Sequence, residues 1–239
     1  MVSADKDTYI LIHGAWHASW CWRYVVPLLE AKGHRVIAPD LPGHGEYIMD
    51  FRRITLDTYV DYVTELVQAQ SRRVVLVGHS LAGVIISQVA ENIPECIKEL
   101  IYIAAFIPET NKSLLQEASR SKSSGVSTEI MTDEAKNEVS IIPSPRVREL
   151  FYNCCRTEDV DFAFSHLQAQ PYRPLADTIH ISSERFGKVK KRYVECMQDM
   201  ALEVDDQRRM YAKTNCTVAS IHADHSPFFS AVDELVKVI

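Results

Sequence analysis

Short, unbroken apolar runs alternate with longer stretches of helical spacing along most of this chain. Tyr9-Ile10-Leu11-Ile12, Arg35-Val36-Ile37-Ala38, Val74-Val75-Leu76-Val77, Leu100-Ile101-Tyr102-Ile103-Ala104, Arg192-Tyr193-Val194-Glu195-Cys196 and Cys216-Thr217-Val218-Ala219-Ser220-Ile221 read as strands. Consecutive rather than alternating apolar positions fit strands covered on both faces, as in a parallel sheet. Between them, helices are expected over Trp20–Ala31, Leu56–Gln70, Leu81–Asn92 and Asp205–Lys213. Leu56, Tyr59, Val60, Val63, Leu66 and Val67 recur at helical spacing. Leu81, Val84, Ile85, Gln88 and Val89 share one face before Pro94 closes that helix, and Gly33 suits the C-cap of the first.

The alternation stops between Pro108 and Gly187. A polar stretch, Ser119–Thr128, precedes segments around Arg146–Asn153 and Asp159–Gln168, set apart by Pro143, Pro145, Pro171 and Pro174. Phe151, Phe162, Phe164 and Leu167 give these segments apolar faces. At 239 residues the chain is expected to be one α/β core, residues 1–107 and 188–239, with residues 108–187 inserted as a cap.

The sharpest local signal is Gly78-His79-Ser80-Leu81-Ala82-Gly83, where a buried strand ends and a helix begins. A strained turn there lifts the Ser80 hydroxyl clear of the sheet and sets it at the positive end of the helix. The turn brings positions 78 and 82 together, so both must be small; glycine and alanine satisfy this. The pattern G-x-S-x-G is met except that Ala82 stands in its last place. His13-Gly14-Ala15-Trp16 follows the first strand, and a glycine-containing loop there can turn a backbone N–H toward a pocket. Ala15 and Leu81 are the predicted pair of oxyanion donors. His13 is expected to brace this loop, and Trp16, Trp20 and Trp22 to wall the pocket or pack the next helix. Asp40 and His44, within Pro39-Asp40-Leu41-Pro42-Gly43-His44-Gly45, are expected to stabilise their own loop as a pair.

Charge and cysteine content narrow the classes. The hydrophobic share is 46% and the charged share 24%, ordinary for a globular chain. A net charge of −6 leaves no basic field for phosphates, so Arg52-Arg53, Arg72-Arg73 and Lys188–Arg192 read as solvated faces and no nucleic-acid partner is expected. The polar Met1–Asp7 lacks a signal-peptide run and no membrane span is apparent, so the chain is expected to be cytoplasmic. Six cysteines without metal-ligand spacing are expected to be free and largely buried.

Ile12-His13-Gly14-Ala15, Asp40-Leu41-Pro42-Gly43-His44-Gly45 and Gly78-His79-Ser80-Leu81-Ala82-Gly83, in that order, resemble the α/β-hydrolase superfamily. The likeness is strongest to its methylesterase/hydroxynitrile lyase branch and bacterial esterase relatives. It covers nearly the whole chain and is weakest in the cap. It implies a mainly parallel sheet of about six strands flanked by helices, with a mostly helical lid at residues 108–187. It also implies a catalytic acid at the C-terminal end of the strand Arg192–Cys196, where Asp199 matches; Glu195 falls within the strand, and Asp205 and Asp206 in the first turn of a helix. Two histidines follow the last strand, and Ala223-Asp224-His225 matches the small-Asp-His signature, leaving His222 a structural role. Ser80, Asp199 and His225 then stand in the chain order of these hydrolases. Gly14, Trp16, His79, Phe106, Phe151 and Ser226 are the expected substrate-pocket residues.

The activity implied is hydrolysis of a small-to-medium hydrophobic carboxylic ester through an acyl-enzyme, with neither metal nor organic cofactor; a homodimer is left open. Two alternatives accompany it. Cyanohydrin cleavage, the lyase activity of the branch, uses a threonine in the first loop and a lysine after the histidine, where Gly14 and Ser226 stand here. A non-catalytic small-molecule receptor on the same fold is the other. A haloalkane dehalogenase would need a carboxylate in place of Ser80.

Overall fold

The computed structural model describes residues 6–121 and 125–239. Met1–Asp5 of the polar N-terminus, and residues 122–124 within the polar stretch 119–128, lie outside the described residues. In chain order the elements begin with β1 (Thr8–Ile12), α1 (Val25–Ala31), β2 (Arg35–Ile37), α2 (Leu56–Gln68), β3 (Val74–His79), α3 (Ala82–Asn92) and β4 (Ile97–Ile103). Between β4 and β8 come α4 (Leu114–Ala118), β5 (Ile130–Asp133), β6 (Glu138–Ile141), α5 (Pro145–Tyr152), α6 (Thr157–His166), β7 (Gln170–Pro171) and α7 (Arg173–Ala176). The chain closes with β8 (Lys191–Cys196), α8 (Val204–Tyr211), β9 (Thr217–Ile221), α9 (Pro227–Ser230) and α10 (Val232–Val238).

Six strands form one sheet in the order β2-β1-β3-β4-β8-β9, and every pairing is parallel. β3, at the centre, is buried at every position, as a strand with helices on both faces must be. α2 packs on α3, and α1 on α10. Thr55 and Ser113 start α2 and α4 with capping boxes, each side chain accepting an orphan backbone N–H of the first turn. The parallel sheet of six strands flanked by helices that the resemblance implies is the architecture observed.

Several local expectations are corrected. The helix drawn over Trp20–Ala31 is two pieces, a 3-10 turn at Ser19–Trp22 and then α1. Pro27 lies inside it, and proline is tolerated only in a helix's first turn, so the α-helix starts just upstream at Val25. α3 is buried nearly all round rather than on one face. The segment between β4 and β8 carries a three-stranded antiparallel sheet, β5-β6-β7, besides its helices. Its strands of two to four residues are too brief to leave a periodic signature.

Lys191 is not on a solvated face. It is 3% exposed, its ammonium donating to the carbonyls of Phe186 and Val189, and burial lowers its pKa to about 8. Cys21, Cys155 and Cys196 are buried, but Cys96 and Cys216 are only half-buried and Cys154 is exposed; all six are free. Among the described residues no helix is long and apolar enough to cross a membrane.

Candidate active site

Ser80 sits between the end of β3 and the start of α3 at φ 53°, a left-handed conformation strained for a residue with a Cβ. Its backbone is pinned on both sides: Ser80 N donates to Ile103 O at 3.2 Å, and Ser80 O accepts from Phe106 N and Gly83 N, each at 3.1 Å. A Cβ at Gly78 would lie 2.9 Å from the backbone C and O of Ala82, so the crossing does need a glycine before the serine. After it the glycine requirement falls on position 83, where a Cβ would stand 2.2 Å from Phe106 O. That is the physical reason a glycine stands at 83.

His225 Nε2 is 3.0 Å from Ser80 Oγ, and His225 Nδ1 is 2.7 Å from Asp199 Oδ2. A carboxylate only accepts, so the Nδ1–H donates to Asp199 and Nε2 is left to accept from the serine hydroxyl. Asp199 is held in turn: its Oδ1 accepts the backbone N–H groups of Ala201 and Leu202, each at 2.8 Å. All three side chains are nearly enclosed, with Ser80 9%, Asp199 5% and His225 2% exposed.

The turn carrying His225 is fixed by two neighbours. His79 Nε2–H donates to the His225 carbonyl at 2.7 Å. Burial pushes the His79 pKa well below the ordinary value, so the ring is neutral. Asp224 accepts from Ser226 N at 2.9 Å, Ser230 Oγ at 2.7 Å and Cys154 N at 2.7 Å. The other acids and histidines lie elsewhere. Glu195 is taken by Arg208, Tyr211 and Ser220, Asp205 and Asp206 occupy the first turn of α8, and His222 is exposed.

In the first loop, His13 Nδ1 donates to Gly14 O at 2.9 Å and its Nε2 accepts from Leu41 N at 3.1 Å. Complete burial lowers its pKa to about 4, and the same cause takes His17 to about 3. Asp40 and His44 stabilise the next loop, though not as a pair. Asp40 accepts from Ser19 N and Glu46 N at 2.7 and 3.0 Å, whereas His44 Nε2 bonds Tyr59 OH at 3.0 Å. A carboxylate satisfied by backbone donors has no need of the imidazole.

A cavity of about 430 Å³ opens over Ser80 and His225. Ala15, Leu81, Trp16, Phe106 and Phe151 line it, as do Leu114, Val126, Ile130, Leu175 and Leu202, which the sequence reading did not name. Neither the Ala15 nor the Leu81 N–H has a backbone acceptor among the described residues. Phe151 stands edge-on to His225, ring centroids 5.3 Å apart.

Gly14, His79 and Ser226 are not on the cavity wall. Gly14 lies behind it, where a Cβ would be 2.7 Å from His79 Nδ1, and Ser226 is completely buried. A larger depression of about 620 Å³, flanked by Tyr24 and Glu234, contains none of these groups. Among the described residues no cluster of three His, Cys, Asp or Glu side chains is placed to hold a metal ion.

The Alpha/beta hydrolase family model matches residues 9–238. Methylesterase 7 of Arabidopsis thaliana is 29% identical, covering 98% of this chain and 95% of that protein. Salicylic acid-binding protein 2 of Nicotiana tabacum is 31% identical over 84% of this chain and 82% of its own. The crystal structure of a pyrethroid hydrolase from Sphingobium faniae JZ-2 superposes with a TM-score of 0.86 at 27% identity, covering 97% of this chain and 94% of that one.

Proposed function

The chain belongs to the alpha/beta hydrolase family, in its methylesterase-like branch, and from that premise we propose that it hydrolyses a small-to-medium hydrophobic carboxylic ester with Ser80 as nucleophile. The observation that carries this reading is the hydrogen-bonded chain Ser80–His225–Asp199 at the base of an apolar cavity.

In the reaction, His225 Nε2 takes the Ser80 proton as Oγ attacks the ester carbonyl carbon. The carbonyl electrons move onto oxygen, and the N–H groups of Ala15 and Leu81 hold that oxyanion; losing one such donor costs roughly 100- to 1,000-fold in rate. As the tetrahedral intermediate collapses, the C–O bond to the alcohol breaks and His225 gives its proton to the leaving oxygen. Water, deprotonated by the same imidazole, then attacks the acyl-enzyme and releases the acid. Asp199 keeps the imidazole in the required tautomer and stabilises its cation. The strained turn at Ser80 keeps the hydroxyl at the helix end, and residues 108–187 cover the cavity, shaping it for the substrate and excluding water.

A p-nitrophenyl ester panel, varied in acyl length, with Ser80→Ala alongside the wild type, tests the reading. Multiple turnovers that vanish in the variant are the expected result; wild-type rates in Ser80→Ala would refute it. Stoichiometric labelling by a fluorophosphonate without turnover of any ester would point instead to a receptor. Cyanohydrin cleavage has less support, since Gly14 and Ser226 replace the threonine and lysine of the lyases.

A further inference from the structure

The residue after Ala15 is held in place from outside the core. Trp16 has φ 62°, a left-handed conformation that a bulky side chain adopts only when its surroundings enforce it. The surroundings here belong to the segment between β4 and β8. The Trp16 indole Nε1–H donates to Val139 O on β6 at 3.0 Å, and the Trp16 carbonyl accepts from Gln168 N, between α6 and β7, at 3.0 Å. One residue further, His17 Nδ1–H donates to Ala15 O at 2.8 Å while its Nε2 accepts from Tyr152 OH of α5 at 2.8 Å. The neutral ring, its pKa lowered to about 3 by burial, keeps one nitrogen as acceptor. Three hydrogen bonds from three places in the inserted segment therefore converge on Ala15-Trp16-His17.

We propose that Trp16 is a positioning residue for the oxyanion hole, and that β6, α5 and the turn before β7 form a fixed buttress for the Ala15 N–H rather than a cover that lifts away. The inference rests on the serine-esterase reading. Relaxing Trp16 to an ordinary negative φ reorients the Ala15–Trp16 peptide, and the shift of the Ala15 backbone turns the adjoining Gly14–Ala15 peptide, whose N–H is the proposed donor, off its aim. The chemical step then loses rate while the apolar walls that bind the substrate stay where they are.

The test compares wild type with Trp16→Phe, which keeps a ring in the wall but removes the indole N–H. Each is titrated with an aryl trifluoromethyl ketone and with the corresponding secondary alcohol. Ser80 Oγ adds to the ketone carbonyl carbon, the hydroxyl proton passes to His225, and the negative charge settles on the former carbonyl oxygen, as in ester hydrolysis. The alcohol fills the same space with no carbonyl to attack.

The expected result is a fall in kcat of about tenfold, a fraction of the loss of a whole donor, with KM within about threefold. The ketone inhibition constant should rise by the same tenfold and the alcohol constant stay unchanged. Unaltered ketone affinity in Trp16→Phe, or equal weakening of ketone and alcohol, would overturn the proposal. If that variant does not fold, Tyr152→Phe carries the test by releasing the loop from its other side. A kcat loss of about threefold with weaker ketone binding supports the buttress, and wild-type values for both overturn it. Failure of the wild type to form the ketone adduct would instead sink the esterase reading beneath it.

Discussion

The base of the cavity comes from strand ends, whereas its upper wall comes from short helices and a small antiparallel sheet inserted between β4 and β8. Ala15, Ser80, Asp199 and His225 follow β1, β3, β8 and β9, and parallel ladders fix the relative heights of those strands, pairing Ile12 with Gly78 and Cys196 with Ile221. Backbone hydrogen bonds between the strands thus fix the relative positions of the loops that carry these four residues. Leu114, Val126, Ile130 and Leu175 of the upper wall have no such ladder to the core sheet, and side-chain packing sets their positions. The proposed chemistry sits where the backbone is over-determined, and cavity shape where a substitution has the least structural cost.

The strongest way to break this contrast is at the base. Ser80→Ala is expected to lower kcat/KM about 10⁴-fold or more, with Asp199→Asn within about tenfold of it, and neither should move Tm by more than a few degrees. Ester hydrolysis and calorimetry on the same preparations check both halves of that statement. Gly83→Ala, a single methyl, is the stability counterpart. The carbonyl of Phe106 lies 2.2 Å from the new Cβ, so α3 must shift against the loop after β4, at about 3 kcal/mol or more. A folded variant with wild-type Tm would mean the elbow is far softer than its contacts imply.

Acid sharpens the comparison where the two regions meet. His13 and His17 are neutral in the fold, with pKa values of about 4 and about 3, because burial disfavours the charged ring. In the unfolded chain they take up protons near pH 6.5. Their contribution is therefore present in full above about pH 7 and lost as pH falls from about 6.5 toward 4 for His13 and toward 3 for His17. Asp224 opposes this, since burial raises its pKa and favours folding in acid. Urea unfolding is expected to show lower stability at pH 5 than at pH 7, with His13 and His17 each contributing about 2 kcal/mol to the difference and the buried His44 and His79 acting in the same direction. His13→Gln and His17→Gln should each reduce it.

The smallest effects are expected in the upper wall. Val126→Ala and Ile130→Ala, both half-buried, should change KM severalfold for long-chain esters, leaving kcat for acetyl esters within about twofold. A kcat collapse in either variant, measured across an acyl series, would show that this wall takes part in the chemistry.

The central strands and the elbow were legible in the sequence because their causes are local. A strand with helices on both faces must be apolar at consecutive positions, as Val74–Val77 is, and a glycine-flanked serine between strand and helix needs only its immediate neighbours. The β5-β6-β7 sheet was not legible. Its first and last strands are about 40 residues apart, and exposed Met131 and Ile142 blur any alternation of faces. Leu202 was missed as a wall residue although it follows Asp199 closely, since only the fold turns it toward Ser80. Gln207, completely buried and bonded to the Cys196 and Leu202 carbonyls, carried no signal at all.

By itself the sequence determined which segments enter the sheet and which residue stands at the strained turn, because these depend on hydrophobic period and backbone preference over a few residues. The choice of Asp199 and His225 came from their match to the family's motifs. Only the tertiary structure decided that His225 stands 2.7 Å from Asp199 and 3.0 Å from Ser80, that position 83 rather than 82 demands glycine, and that Trp16 is held by β6 and the loop before β7. Each of those is a distance between residues far apart in the chain, fixed by sheet register and packing, and no local pattern encodes it.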